Sequence, residues 1–396
     1  MSLNDIPSSQ RIHIGFFGRC NSGKSQIVNV LTNQELSIVS NVSGTTTDPV
    51  KKAVEINPLG PVVIIDTAGL DDNTSLGTKR IERTKKMLDI TDIAVIVIDA
   101  NKGISDIDNG FIDVVKNQNK PYLIAYNKVD LSDIIPASDG NAVYLSAKTG
   151  FGIDNLKNAI IDIAKSVDNS KKIIADKLNP KDIVILVTPI DESAPKQRLI
   201  LPQQQTIRDI LDINAIPIEV RETELEYMLS SLKIKPKLVI TDSKIFDYVS
   251  KIVPKGILLT SFSILFANYK GNLKTMVKGA EMLDKLTDND KVLIAEACTH
   301  HRQCNDIGSI KLPKMIKNYT KKSINFEFSC GNDFPNDLKE YSLIIHCGGC
   351  MITEQAMKSR LNKAIEQNVP ITNYGIYFAK MNGILDRSIE IFPELL

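Results

Sequence analysis

The chain runs from an apolar segment directly into Gly18-Arg-Cys-Asn-Ser-Gly23-Lys24-Ser25, and this leaves it little choice of fold. Arg11–Phe17 alternates and is rich in Ile and Phe, which predicts a buried strand. The next eight residues fit the phosphate-loop pattern G-x4-G-K-S, which sits between a strand and a helix. Each residue type has a chemical reason. Glycines let the backbone curl so that successive N–H groups face phosphate oxygens. The helix that follows, expected over Gln26–Leu31, adds its N-terminal dipole. Lys24 reaches the β and γ phosphates, and the Ser25 hydroxyl ligates Mg2+. Gly18, Asn21, Ser22, Gly23, Lys24, Ser25 and Gln26 are therefore the candidate phosphate-binding residues.

Further signals follow in order. Pro61–Ile65 is an apolar strand ending in Asp66-Thr67-Ala68-Gly69, with Asp66 placed to hold Mg2+ through water and the Gly69 N–H to meet a γ-phosphate. Ile93–Ile98 is a third strand. Tyr122–Tyr126 is a fourth and delivers Asn127-Lys128-Val129-Asp130. The Asp130 carboxylate can accept from N1–H and the 2-amino group of guanine, which adenine cannot match. Val143–Leu145 then presents Ser146-Ala147-Lys148, whose backbone N–H can meet guanine O6. These signals lie mostly at strand C-terminal ends, where open α/β sheets bind ligands. Residues 1–168 are expected to form a GTPase domain that binds GTP or GDP with Mg2+.

About the first 165 residues resemble the GTPases of the TrmE–Era type. Gly44-Thr45-Thr46-Thr47-Asp48 is similar to that family's first switch, and Thr46 aligns with the threonine that closes on Mg2+, with Thr45 and Thr47 as close alternatives. Asn21 matches the loop asparagine that helps hold K+ in potassium-dependent relatives, where the cation stands in for an arginine finger. The resemblance implies Lys24, Thr46, Asp66 and Gly69 as the catalytic set. Leu70 stands where Ras-like enzymes carry the glutamine that orients water, so unaided hydrolysis should be slow and switch-like. Cys20 reads as a small side chain tolerated in the loop.

Asp168–Lys177 is polar and charged and reads as a linker. Residues 172–265 then alternate: strand Asp182–Ile190, helix Thr206–Ile213, strand Ile216–Arg221, helix Thr223–Leu232, strand Lys237–Asp242, helix Lys244–Ile252 and a strand from Ile257. Thr223 and Glu226 have the spacing of a capping box. This is a small parallel α/β domain with no nucleotide loop, ligand pair or acid–base constellation. The apolar run Leu199-Ile200-Leu201 reads as a core strand or a dimer surface. A domain without visible chemistry between two that have it is assigned to assembly, as a homodimer.

Residues 266–396 repeat the pattern, with a helix near Leu273–Lys285, strands Lys291–Ala297, Asn325–Ser329 and Ser342–His346, helix Thr353–Asn368 and strand Pro370–Tyr374. The whole chain is thus expected to be α/β: a P-loop GTPase domain followed by two smaller parallel-sheet domains. Five of six cysteines and three of four histidines crowd this last part. Cys298, Cys330 and Cys347 each follow a strand, and His346-Cys347-Gly348-Gly349-Cys350 leads into a helix. Gly348 and Gly349 let the backbone approach a cluster closely and aim N–H groups at sulfide. Cys298, Cys347 and Cys350 supply three thiolates, which suit a [4Fe–4S] cluster with one differentiated iron. A structural zinc held by Cys298, His300, Cys347 and Cys350 is the rival. Glu296, His300 and His346 are candidates for the fourth ligand, each with an alternative as a hydrogen-bonded support. His301, Cys304 and Cys330 carry no comparable signal.

Cys298-x-His300 followed by His346-Cys347-x-x-Cys350 behind a GTPase domain resembles the HydF family, the GTPase maturation factors of [FeFe]-hydrogenase. The resemblance covers the whole chain. It implies a GTPase domain, a dimerisation domain and a cluster domain, together serving as scaffold or carrier for the precursor of the diiron subcluster. Two radical SAM maturases would load it and apo-[FeFe]-hydrogenase would receive the precursor. GTP would reorder the switch loops Ser40–Pro49 and Gly69–Lys79.

The composition excludes several alternatives. A net charge of +1, no Trp and 6% aromatics give no basic, aromatic-interleaved face for nucleic acid, which weighs against an RNA- or ribosome-associated GTPase with a zinc-stabilised tail. Apolar runs such as Ile93–Ile98 fall far short of the ~20 residues of a membrane span, and the N-terminus lacks a signal-peptide pattern. A cytoplasmic protein is expected, where cysteines serve metals rather than disulfides.

Overall fold

The computed structural model describes residues 7–32, 50–71, 77–131, 140–166, 171–190, 199–297, 307–331 and 333–395, without the side chains of 77–82, 166 and 307. The chain divides into two compact units, residues 1–170 and 171–396.

The first unit is a six-stranded sheet of β1 (Ile12–Phe17), β2 (Val50–Ile56), β3 (Gly60–Asp66), β4 (Ile93–Asp99), β5 (Tyr122–Asn127) and β6 (Ala142–Tyr144). Its order is β2-β3-β1-β4-β5-β6, and only β2 is antiparallel to its neighbour. A strand covered on both faces has no polar side, and β4 shows this. Ile93, Val95 and Val97 join the core on one face, and Ala94, Ile96 and Ile98 join the core on the other. Helices Lys24–Thr32, Gly77–Ile90, Asp106–Asn117 and Ile153–Ser166 alternate with the strands.

The second unit holds two four-stranded, all-parallel sheets. One contains β7 (Ile183–Val187), β8 (Ile216–Val220), β9 (Leu238–Thr241) and β10 (Leu258–Ser261), ordered β10-β9-β7-β8. The other contains β11 (Lys291–Glu296), β12 (Asn325–Cys330), β13 (Leu343–His346) and β14 (Ile371–Asn373), ordered β12-β11-β13-β14. The α/β class, with a P-loop domain followed by parallel-sheet modules, is as expected. Among the described residues no helix is long and apolar enough to cross a membrane.

Three local expectations change. The run from Leu199 is not a strand but the half-buried entry to helix Leu201–Asp212. Pro202 suits the first turn, whose N–H groups have no helical partner, and the Gln203 side chain accepts from the Ile200 N–H at 2.9 Å. The capping box at Thr223 does not form. Its hydroxyl donates to the adjacent Glu224 carboxylate at 2.7 Å, and the α-helix begins only at Leu225. Much of the expected linker is structured. Ile173 and Ile174 are buried, and the Ile174 and Ala175 amides both donate to Asp209 at 2.8 Å.

The two sheets of the second unit are joined by polar contacts to backbone. Asn373 donates to the Ser263 carbonyl at 2.9 Å. The Arg387 guanidinium, near the C-terminus, donates to the carbonyls of Ser250, Val253 and Pro254 at 2.8, 2.7 and 3.0 Å, just beyond helix Phe246–Ile252. Hydrogen bonds from a charged donor are among the stronger ones. Arg387→Met should therefore destabilise the protein by about 1–3 kcal/mol in denaturant unfolding. An unchanged midpoint would show that this contact does not hold the two layers together.

Candidate functional site

The strand order of the first unit reverses between β1 and β4, and the phosphate loop leaves β1 at that point. Lys24 is buried and donates to the Gly18 and Arg19 carbonyls at 2.9 Å each, which holds the carbonyl side of the loop. Burial pushes the Lys24 pKa down, opposed by the charge of Asp66. The Ser25 hydroxyl donates to Asp66 Oδ2 at 2.5 Å, and Asp66 Oδ1 is buried with no protein partner. Burial pushes the Asp66 carboxyl up, opposed by the bond from Ser25. A carboxylate with an unshared oxygen beside a serine hydroxyl fits a hard divalent cation such as Mg2+.

Three loops meet through Asn127. Its amide donates to the Ser22 carbonyl at 3.0 Å and accepts from the Ala147 N–H at 3.0 Å, tying the phosphate loop to the Ser146-Ala147-Lys148 loop. Gly23 has φ +94°, and a Cβ there would overlap the Asn127 amide, so this position admits only glycine. Lys128 donates to the Asn21 carbonyl at 2.6 Å and to Asp99 at 2.8 Å. Ser146 donates to Asp130 at 2.6 Å, and Lys148 is exposed. Gln26 lies in the first turn of its helix. Leu70, where a glutamine would orient water, is buried in the core with Phe17, Leu88 and Phe111, and its N–H donates to the Gly18 carbonyl at 3.2 Å. The next residue, Asp71, accepts from the Cys20 N–H at 2.6 Å, and Gly69 packs directly against Cys20. Thr46 and the first switch loop lie outside the described residues, as do residues 72–76 of the second.

The C-terminal sheet reverses its order between β11 and β13, and the residues singled out there meet at that edge. Glu296 closes β11 opposite Cys330 on β12, and His346 closes β13. The Cys347 N–H donates to the Ala295 carbonyl at 2.8 Å, and the Ala297 N–H donates to Cys347 Sγ at 3.1 Å. Cys350 is largely buried; burial pushes its thiol up, while the Lys270 charge and the backbone N–H groups of Cys350 and Met351 oppose this. Glu296 is buried, and the Tyr374 hydroxyl donates to it at 3.4 Å. Cys298, His300, His301 and Cys304 lie outside the described residues. Among the described residues no three His, Cys, Asp or Glu side chains stand close enough to hold a metal. The donors that are described, two cysteines receiving backbone N–H groups at a sheet edge, fit a thiolate-bound cluster.

His346 is held by hydrogen bonds on both sides of its ring in this structure. It is fully buried and both ring nitrogens are engaged. Arg360 has only donors, so its contact of 2.8 Å makes His346 Nε2 an acceptor. The proton is therefore on Nδ1, which donates to the Cys347 carbonyl at 2.7 Å. Burial first, then the Arg360 charge, lowers the His346 pKa to about 3. Two important residues have no signature in the sequence. Arg360 also bonds the Gly331 carbonyl and lies 5.1 Å over the Phe334 ring. Lys270, at the end of helix Phe262–Lys270, donates to the carbonyls of Gly349, Cys350 and Ile352.

Residues 173–271 match the family model described as the hydrogen maturase F dimerization domain, and residues 274–391 the one described as the hydrogen maturase F tetramerization domain. Together they span more than half of the chain. The chain belongs to the hydrogen maturase F family. Residues 13–128 match the model described as 50S ribosome-binding GTPase, so the first unit of this family member is a GTPase domain. The two matched descriptions support an oligomer, where the sequence reading expects a homodimer.

Curated relatives match the GTPase portion. GTPase Der of Kosmotoga olearia is 30% identical over 176 residues, 40% of this chain and 40% of that protein. The tRNA modification GTPase MnmE of Legionella pneumophila is 37% identical over 147 residues, 36% of this chain and 32% of that protein. The chain thus spans less than half the length of these relatives. A crystal structure of Aquifex aeolicus Era bound to GDP·AlF4− is 20% identical, covering 53% of this chain and 92% of that one at a TM-score of 0.35. That likeness is too distant to add to the sheet topology.

The His346 geometry gives a direct test. In 15N NMR of the metal-free protein, His346 should stay a neutral Nδ1–H tautomer from about pH 5 to 8, where an ordinary histidine titrates. A normal titration would mean that Arg360 does not bond its ring.

Proposed function

We propose that this protein is a GTP-hydrolysing scaffold of [FeFe]-hydrogenase maturation that carries a [4Fe–4S] cluster at the edge of its C-terminal sheet. The observation that supports this reading is the Cys347–Cys350 loop, with the Ala297 N–H donating to the Cys347 sulfur, at the strand-order reversal of a hydrogen maturase F domain. Cys298, Cys347 and Cys350 are the protein ligands in this reading. Three thiolates leave one iron open to an exchangeable ligand, which suits capture of a diiron precursor. Glu296, buried at the same edge, and His300 are the candidates for that fourth position; His346 holds the loop from behind.

On the nucleotide side, Lys24 neutralises phosphate charge. Ser25, Asp66 and Thr46 bind Mg2+, which supplies positive charge between the phosphates. The Gly69 N–H meets the γ-phosphate. Asn127, Lys128, Asp130, Ser146, Ala147 and Lys148 surround the guanine, and Asn21 offers a K+ ligand beside the phosphates. Leu70 is locked in the core, so the protein itself orients water poorly and turnover is slow. GTP then acts as a timer on contacts with partners: the radical SAM maturases that load the scaffold and the apo-hydrogenase that receives the precursor. The dimerization and tetramerization domains support an oligomer as the working form, in the cytoplasm.

Two experiments test this reading. Asp130→Asn should weaken GDP binding by roughly tenfold to a hundredfold in calorimetric titration, the loss expected when a charged acceptor is removed. Equal affinity would remove Asp130 from the guanine site, and the same assays in K+ and Na+ buffers test Asn21. Anaerobic reconstitution of the full chain with iron and sulfide, followed by EPR after reduction, should give a [4Fe–4S] signal. That signal should be lost in Cys298→Ala and Cys347→Ala and should shift with imidazole or cyanide. Stoichiometric zinc with no bound iron would instead favour the zinc-tailed GTPase.

A further inference from the structure

We propose that Lys270 is a positioning residue for the cluster. It gathers the carbonyls of the cysteine loop on one side, so that the loop's amides face the Cys350 sulfur. The inference rests on reading this loop as the cluster site, and it extends that reading to a residue outside the cysteine motif.

Lys270 is only 3% exposed, and its Nζ donates at 3.2 Å to the Gly349 carbonyl, 3.1 Å to Cys350 and 2.8 Å to Ile352. An ammonium has three N–H donors and a neutral amine two, so three bonded carbonyls describe a charged lysine with every donor used. A planar trans peptide directs its carbonyl and its N–H to opposite sides. Holding the Gly349 carbonyl therefore turns the Cys350 N–H the other way, and holding the Cys350 carbonyl turns the Met351 N–H likewise. These are the two amides that draw the Cys350 thiol down against its burial. Gly349 has φ +65°, which lets the chain make this curl. A run of backbone N–H groups on one side of such a turn forms an anion-binding concavity.

The charge is directed at the loop. Glu354, the nearest carboxylate that acts on Lys270, already pairs with Lys171 at 2.9 Å and Lys358 at 2.8 Å. Lys270 ends the helix that follows β10, within the segment matched by the dimerization-domain model. The cysteine loop belongs to the segment matched by the tetramerization-domain model. The cluster site is thus completed by a residue from the preceding domain.

The test uses the full chain, handled anaerobically, as wild type, Lys270→Met and Lys270→Arg. In the metal-free protein, Lys270→Met should speed amide exchange at Cys350 and Met351. After reconstitution it should lose iron to a chelator about tenfold faster or more, the size of effect expected from residues that orient metal ligands. Its midpoint potential in an EPR-monitored titration should fall, because the extra electron loses a neighbouring positive charge. Lys270→Arg keeps the charge and should keep the potential near wild type. Lys270→Gln, which keeps a donor and drops the charge, replaces the methionine variant if that one does not fold. A wild-type chain that takes up no cluster overturns both this inference and the proposed function. A loaded wild type, with Lys270→Met matching it in exchange, iron loss and potential, overturns the role of Lys270 alone.

Discussion

A buried lysine ammonium that collects peptide carbonyls holds each of the two loops where this protein's chemistry is expected. Where a chain leaves the carboxyl edge of a parallel sheet, its peptide groups lose their ladder partners, and a buried polar group without a partner costs about 1–3 kcal/mol. Lys24 satisfies Gly18 and Arg19 in the first unit; Lys270 satisfies Gly349, Cys350 and Ile352 in the second. Both lysines act on the carbonyl side, which turns the N–H groups of the same peptides to the other side; in the phosphate loop the Cys20 N–H there meets Asp71. Amides in such an array favour anions, whether phosphate oxygens or thiolates. Both loops also start where strand order reverses, between β1 and β4 and between β11 and β13, the place where neighbouring connections diverge and open a crevice.

The middle sheet has the same parallel build and its own reversal, between β7 and β9, yet among the described residues it carries no such loop. Its edge is filled from within the second unit. Gly375, at the start of helix Tyr374–Met381, packs against Ser263, Ser243 and Ser261 just beyond β9 and β10. Asn373 caps that helix through the Ile376 N–H and bonds the Ser263 carbonyl. A helix start thus occupies the described part of this carboxyl edge, and the residues around the sheet lend support elsewhere. Lys270 and Arg387 are the clearest parts of it, one reaching the cysteine loop and the other holding the C-terminal helix.

Where the sequence speaks plainly, it does so through uninterrupted apolar runs and through glycines next to chemistry. β1, β3, β4 and β5 are legible because strands buried on both faces read as apolar blocks, and the phosphate loop because its spacing is strict. β2 is missed: Val50-Lys-Lys-Ala-Val-Glu-Ile56 lies at the sheet edge, half exposed, and reads as polar chain. The entry at Leu199–Pro202 misleads because an apolar run ahead of a proline serves a strand or a helix start equally well. The capping box fails because Thr223 found a nearer partner in Glu224, and spacing alone cannot report that choice. Lys270 and Arg360 are illegible for a deeper reason. A basic residue within or at the end of a helix looks like a solvated charge until the carbonyls it meets, 80 positions away in the case of Lys270 and Cys350, are folded against it. His346 was visible as a residue of interest, but its role depends on which hydrogen bonds its two nitrogens make, and that too is a tertiary fact.

The two buried cations divide the work between them. Arg360 fixes the proton of His346 on Nδ1, and that proton holds the Cys347 carbonyl. Lys270 holds the Cys350 carbonyl directly. The backbone at each cysteine is therefore set by a helix residue outside the loop, on Glu354–Glu366 in one case and Phe262–Lys270 in the other. Burying an ammonium and a guanidinium is costly unless their donors are used and a negative partner is near. The Lys270 donors meet neutral carbonyls, and its charge is felt by the Cys350 and Cys347 thiols and by Glu354. A thiolate-bound cluster is an anion, and in the proposed reading its place at Cys347 and Cys350 would add negative charge on the side of the loop that Lys270 supports. The loop and the lysine are thus more consistent with one another when a cluster is counted than when the protein atoms are taken alone.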